Sequence, residues 1–309
     1  MILTVTLNFS LDVTYHLDRF ERGETARVQA VARQAGGKGV NAARVLHSLG
    51  RAAAVSGFAG GFTAQEARAE LAQAGIRDVL VEIAGESRIA TMVVEKDGAA
   101  TGFSEPGPDI TPTNWAALRD RFDTLIGDAG AAIIAGSVPP GVPTDGYAQL
   151  VAAAVRAGVP VLLDADSEAL ARGVEARPDI VKINEAELRG VHDHEHLMEA
   201  ARALQDQGAR SVVITQGADG LSALTEDGDL LHAAPPEPLR GNPTGAGDAA
   251  SAALMAALLD GRSWPERLAD AAALSAAAVC TPRAGQFDAA VYERLRTEIV
   301  ATRLARKPR

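Results

Sequence analysis

The sequence predicts an α/β fold in which helices cover a mostly parallel central sheet and a small β-sheet projects as a lid. Three observations point there. Up to about residue 215, short apolar strand-like runs alternate with helix-period segments, the order of βαβ units. Thr14–Arg33 and Ile89–Phe103 break that rhythm, alternating apolar and polar residues around Arg22-Gly23 and Asp97-Gly98 as half-solvated hairpin strands do. After residue 245 the chain reads as consecutive helices.

The first apolar run, Ile2 to Leu7, ends in Asn8 and has the length of one buried strand. Similar runs are Ala53–Phe58, Val79–Ile83, Ile89–Glu95, Ala131–Ala135, Val159–Asp164, Asp179–Ile183 and Ser211–Thr215. Helical patterns fall between them at Val40–Leu49, Ala64–Ala74, Asp145–Ala157 and Leu197–Gln207. Ala246–Leu259, Pro265–Val279 and Asp288–Arg303 form the closing helical series. Neither a repeat nor a linker interrupts the order. Residues 1–309 are therefore expected to be one domain, with the lid inserted from about 12–34 and 87–104.

Composition narrows the function classes. A chain of 309 residues with 47% hydrophobic content buries roughly 75% of its unfolded surface, so it needs no staples. Cys280 is the single cysteine, which excludes a disulfide framework and any cysteine-based metal site. It lies in an apolar helical pattern and reads as a small core residue. No apolar run approaches a membrane span, and the first thirty residues lack a signal-peptide pattern, so a cytoplasmic protein with no membrane contact is expected. The net charge of -10 argues against nucleic acid as a partner. A small anionic ligand is compatible with it if the cations are locally placed. His192, His194 and His196 alternate in a charged stretch and read as a solvated loop rather than a metal site, and Arg303–Arg309 reads as a frayed basic end.

Three segments carry chemistry. In Gly36-Gly37-Lys38-Gly39-Val40-Asn41 the glycines allow close backbone approach to a ligand at a helix start. Gly39 follows Lys38 where a Walker loop needs Ser or Thr, so this is no Walker loop, and a plain turn before a helix is the competing reading. Asn242-Pro243-Thr244-Gly245-Ala246-Gly247-Asp248 leads straight into an apolar helix. Gly245, Gly247 and Ala250 match a dinucleotide fingerprint literally, but no strand precedes them, which disfavours a dehydrogenase. What remains is a helix start whose N–H groups could stabilise developing negative charge, with Asp248 as proton acceptor or as a first-turn acid favoured by the helix dipole. The third segment, Lys182-Ile183-Asn184-Glu185-Ala186-Glu187, ends a strand. Asn184 and Glu187 there suit Mg²⁺ or its waters, or simply start a helix.

Taken together, Asn8 and Asp12, the first glycine segment, Asn184-x-x-Glu187 and Gly245-Ala246-Gly247-Asp248 resemble, in order, the PfkB (ribokinase-like) carbohydrate kinases. Gly57–Phe62, Arg88 after Glu86-Ser87, Glu105-Pro106-Gly107-Pro108 and Ala135–Gly141 resemble the hexose-phosphate branch, the 1-phosphofructokinases and tagatose-6-phosphate kinases. Lys38, which is glycine in some 6-phosphofructokinases, points the same way.

The resemblance implies a ribokinase-like three-layer fold and ATP-dependent phosphorylation of a sugar phosphate, with fructose 1-phosphate as the expected acceptor. Tagatose 6-phosphate or fructose 6-phosphate, then a free sugar or nucleoside, are the alternatives, and a non-catalytic sensor is the alternative class. Asp248 is then the base and Gly245, Ala246 and Gly247 the anion hole, while Asn184 and Glu187 hold Mg²⁺ through water. Lys182, Asn184, Thr215, Gly217, Gly220 and Ala277 fall on the nucleotide side. Asp12, Gly37, Lys38, Asn41 and Ser137 fall on the sugar side, with Arg88 and Arg27 as the phosphate clamp. Asn242-Pro243-Thr244 replaces the Asp-Thr-Thr of many members, which leaves a monovalent cation undecided. A homodimer through the lid is the expected assembly.

Overall fold

The computed structural model describes residues 1–191 and 197–304; His192, His194, His196 and residues 305–309 lie outside the described residues. The chain begins with β1 (Ile2–Thr6), β2 (Ser10–Leu17), β3 (Ala30–Gly36), α1 (Lys38–Ser48), β4 (Ala53–Ala59) and α2 (Gly61–Gln73). Next come β5 (Arg77–Asp78), β6 (Val81–Glu82), β7 (Arg88–Glu95), β8 (Ala100–Ser104), α3 (Pro112–Ile126), β9 (Ala131–Ala135) and α4 (Gly146–Arg156). β10 (Val161–Asp164), α5 (Ser167–Glu175), β11 (Ile180–Asn184), α6 (Glu185–Val191), α7 (Leu197–Gln207) and β12 (Ser211–Thr215) complete the alternating part. The rest is β13 (Leu221–Leu224), β14 (Leu230–Ala233), α8 (Ala246–Leu259), α9 (Trp264–Val279), α10 (Ala289–Glu298) and β15 (Thr302–Arg303).

β5, β4, β1, β9, β10, β11 and β12 pair in parallel, and β13, β14 and β15 extend that sheet antiparallel. Every residue of β1 and β9 is buried, because a central parallel strand is covered on both faces and so reads as a continuous apolar run. Alternate side chains serve two cores. Ile133 packs with Val45, Leu254 and Leu274 of α1, α8 and α9, whereas Ile134 packs with Phe122, Leu150 and Leu204 of α3, α4 and α7. The result is three layers. Local chemistry sets the helix starts where it is strong: α3 and α9 each begin with a reciprocal capping box, Thr111 with Asn114 and Ser263 with Glu266, followed by proline in the first turn.

The second sheet has the order β3-β2-β7-β8. β2 follows β1 after three residues, so this sheet stands over the carboxyl ends of the parallel strands. Cys280, read from the sequence as a core residue, is exposed at the end of α9, where the helix leaves the core. The secondary structure departs from the sequence reading in four further places. β2 begins at Ser10, and residues 18–29 connect it to β3 in place of a tight turn at Arg22-Gly23. Val79–Ile83 contributes only β6, with β5 formed just before it, since each of these strands reaches β4 for two residues. β13 and β14 form an antiparallel hairpin where the sequence pattern predicts no strand. The last predicted helix stops at Glu298, and Thr302–Arg303 pairs with β14.

The β1–β4 pairing depends on one glycine. Gly57 has φ of +152°, and a Cβ there would stand 1.9 Å from the Thr6 carbonyl oxygen. Gly57→Ala is expected to destabilise the protein by more than about 1 kcal/mol, measured by urea unfolding. An unchanged midpoint would mean that the strands separate without cost.

Candidate active site

The strand ends and the starts of α1, α6 and α8 bring five charged groups together. Asp248 lies in the first turn of α8 and is buried. Asn41, in the first turns of α1, donates from Nδ2 to Asp248 Oδ2 at 2.8 Å. Its Oδ1 is buried with no partner among the described residues, so it is available to a ligand hydroxyl. Asp164, at the carboxyl end of β10, is 0% exposed. Lys38 Nζ lies 2.9 Å from one of its oxygens and Lys182 Nζ 2.6 Å from the other. Lys38 also lies 3.7 Å from Glu187 Oε1.

The electrostatics follow from that packing. Burial pushes the Asp248 carboxyl up and the Asp164 charge pushes it further, to about 6, against Lys182, the Asn41 hydrogen bond and Lys38. Burial opposes charge on Asp164 as well, but Lys182 and Lys38 hold its carboxyl below the usual range. Burial pulls Lys38 down, and Asp164 more than offsets it, so this ammonium stays charged. A carboxylate with a pKa near neutrality beside two fixed ammoniums can accept a proton while the cations face an anion.

The α8 start supplies the donors. Gly245 adopts φ of +85°, and a Cβ on it would meet Ala284 at 2.9 Å, which makes glycine necessary at this turn. The Ala246 N–H bonds the Pro243 carbonyl at 3.2 Å, while the Gly245 and Gly247 N–H groups make no backbone hydrogen bond among the described residues. Lys182 Nζ lies 2.9 Å from where a Gly247 Cβ would stand, so the ammonium packs against this turn.

The small sheet carries the other end of the cleft. Asp12 accepts from Ser10 Oγ at 2.7 Å, and burial raises its pKa against Ser10, Arg88 and Arg44. Gly36 lies directly over it, and any Cβ there would collide with the carboxylate. Arg88 donates from Nε to the Asn8 carbonyl at 3.1 Å and from Nη1 to the Glu105 carbonyl at 3.2 Å. Asn8 Nδ2 donates to Ser137 Oγ at 3.2 Å, which ties Ser137 to the same corner. Asp12, Gln34, Met92, Ser104, Thr244 and Arg283 line a cavity of about 100 Å³ between the small sheet and the loops before α8 and after α9.

On the opposite side, Asn184 and Thr215 are register partners at the ends of β11 and β12, with Lys182 two residues back. Gly217 and Gly220 flank the turn after β12. Asn184 Oδ1 accepts the Glu187 N–H at 2.7 Å and Glu187 Oε2 accepts the Asn184 N–H at 3.1 Å, the reciprocal helix start that was the bland alternative. The second Glu187 oxygen still faces the cleft toward Lys38. An all-oxygen pair of this kind fits Mg²⁺ held through water, since that ion keeps waters and takes remaining ligands from nucleotide phosphates.

Two predicted residues stand apart. Arg27 is exposed in the 18–29 connection and makes no hydrogen bond or ion pair among the described residues, and the Ala277 side chain is fully buried against the core. Gly37 caps α1 beneath the site. Sequence reasoning missed Asp164 as a site residue and used Asn8 only as a motif marker. The signal for Asp164 was its place at the carboxyl end of a central parallel strand, where open α/β sheets bind ligands.

The sequence profile of the pfkB family of carbohydrate kinases matches residues 5–289. The 1-phosphofructokinase of Xanthomonas campestris is 36% identical over 277 residues, covering 86% of this chain and 87% of that protein. The crystal structure of phosphofructokinase-2 from Escherichia coli in complex with potassium superposes with a TM-score of 0.89 at 25% identity, over 96% of this chain and 98% of that one. Arabidopsis thaliana ribokinase, solved with ribose and ATP, shares the fold at a TM-score of 0.74 and 22% identity, over 96% and 98%.

Proposed function

Since the chain belongs to the pfkB family of carbohydrate kinases, we propose that it transfers the γ-phosphoryl group of ATP to fructose 1-phosphate, giving fructose 1,6-bisphosphate and ADP. The acceptor hydroxyl, held by Asn41 Oδ1 and Asp12, attacks the γ-phosphorus and yields its proton to Asp248. The new O–P bond forms as the bond to the ADP oxygen breaks, and the Gly245 and Gly247 N–H groups, Lys38 and Lys182 face the charge on the transferred group. Mg²⁺, held through water by Asn184 and Glu187, would neutralise phosphate charge on the nucleotide. Thr215, Gly217 and Gly220 border the nucleotide, and Arg88 clamps the phosphate already on the sugar. The observation that carries this reading is the contact of Asn41 with a buried Asp248 of raised pKa, which joins the acceptor side to the base.

Residues 12–34 and 87–104 act as the lid. β3 and β8 leave unpaired edges, and Val31 and Phe103, each 53% exposed, lie on them, which supports the proposed homodimer contact through the lid. No described helix is long and apolar enough to cross a membrane, and the cytoplasm is the proposed location. The Asn242 carboxamide accepts the Thr244 N–H at 3.0 Å and donates to the Pro282 carbonyl at 3.1 Å. It braces these two loops.

ADP release at saturating MgATP tests the acceptor, with fructose 1-phosphate, fructose 6-phosphate, tagatose 6-phosphate, fructose, ribose and adenosine compared. Fructose 1-phosphate is expected to give the highest kcat/KM. A higher value for either other phosphosugar would reassign the acceptor, and turnover of free sugars alone would remove the phosphate clamp.

A further inference from the structure

Asp164 has no place in the chemistry above. It cannot reach a ligand, because its side chain has no exposure and each oxygen is taken by a lysine. A buried ion cluster is also weak evidence for stability, since desolvation offsets much of the attraction. Its partners do have a common feature. Lys38 begins α1 on the acceptor side, and Lys182 lies two residues before Asn184 on the nucleotide side.

We propose that Asp164 is a positioning residue for phosphoryl transfer, whose two oxygens lock the acceptor-side Lys38 and the nucleotide-side Lys182 into one charged pair before substrates bind. This rests on the kinase reading above. Lysine carries about 2 kcal/mol of rotamer entropy in a free side chain. A carboxylate that holds both ammoniums removes that freedom in advance, as electrostatic preorganisation requires. It also keeps two like charges together in a buried place: Lys182 is only 5% exposed and would otherwise face Lys38 unshielded. Ser251 Oγ, 3.5 Å from Asp164 Oδ2, approaches from α8. The groups facing Asp248 are Asp164 from β10, Lys182 from β11, and Asn41 and Lys38 from α1. Removing the Asp164 charge therefore changes Asp248 as well as the lysines.

Asp164→Asn and Asp164→Glu test this in the full-length protein. The asparagine variant is expected to lower kcat about 100-fold, to change the KM for ATP much less, and to move the acidic limb of the kcat/KM profile to lower pH. The glutamate variant keeps the charge, so its limb should stay with the wild type while kcat falls, because a longer side chain displaces both ammoniums. A third readout needs no acceptor. With four lysines in the chain, ¹⁵N-lysine NMR should show two slowly exchanging ammonium signals in the wild type and neither in Asp164→Asn. Loss of kcat with an unmoved limb and both ammonium signals intact would overturn the proposal, as would wild-type kcat in Asp164→Asn. A wrong acceptor would leave the ammonium result standing, so the two failures are distinguishable.

Discussion

Asp248→Asn is expected to lower kcat by about 10²–10⁴-fold, the range for removing a positioned general base, while the KM for ATP and for the sugar phosphate change little. The substitution is isosteric, and the asparagine oxygen can still accept from Asn41 Nδ2 as Asp248 does. Folding should not suffer. Asp248 is raised from 3.8 to about 6 by burial and by Asp164. At 1.36 kcal/mol per unit, its charge at pH 7 costs the folded state about 3 kcal/mol. The neutral variant should therefore melt no lower than wild type, which separates a chemical effect from a structural one. A base works deprotonated, so wild-type kcat/KM should fall as pH drops through about 6. A kcat within threefold of wild type would remove Asp248 from proton transfer. An acidic limb near pH 4 would mean that neither burial nor the Asp164 charge raises it.

Arg88→Ala should raise the KM for the sugar phosphate about 10–100-fold and leave the KM for ATP within twofold, the loss of one charge-assisted contact worth about 1.5–3 kcal/mol. Both bonds of Arg88 go to backbone carbonyls, of Asn8 and Glu105, and no carboxylate pairs with it at ion-pair distance among the described residues. A half-buried guanidinium so anchored feels the Asp12 and Glu105 charges at longer range and keeps donors to spare, which suits a bidentate phosphate contact. Arg88→Lys should recover only part of the affinity, because an ammonium lacks the planar fork. Equal changes in both KM values, or none, would place the phosphate elsewhere. Arg283, exposed on the opposite wall of the cavity, is then the next cation to replace.

Local pattern accounts for what was legible in advance. Ala131–Ala135, Ser211–Thr215, Leu197–Gln207 and Ala246–Leu259 have the bounds that apolar runs and helical periodicity predicted, because burial on both faces or on one stripe is written into consecutive residues. The glycine segments were legible for a related reason: a turn that brings backbone near a ligand needs glycine at fixed neighbouring positions. The β13–β14 hairpin and the broken Val79–Ile83 run were not legible, since four- and two-residue strands are defined by the neighbour they meet.

The site divides in the same way. Sequence alone determined that Lys38, Asn41, Lys182 and Asp248 are the chemical groups available at loop and strand ends. Only the tertiary structure decided which of them touch. Asp164 meets Lys38 across 126 positions of chain, and Asn41 meets Asp248 across 207. Such pairings arise from sheet order and helix packing, and no local periodicity records them. The same fold set Arg27 apart on an exposed connection and placed Arg88 on the strand that pairs with Asp12's own, because parallel pairing of β2 with β7 fixes where Arg88 stands whereas nothing fixes a side chain beyond the strand end.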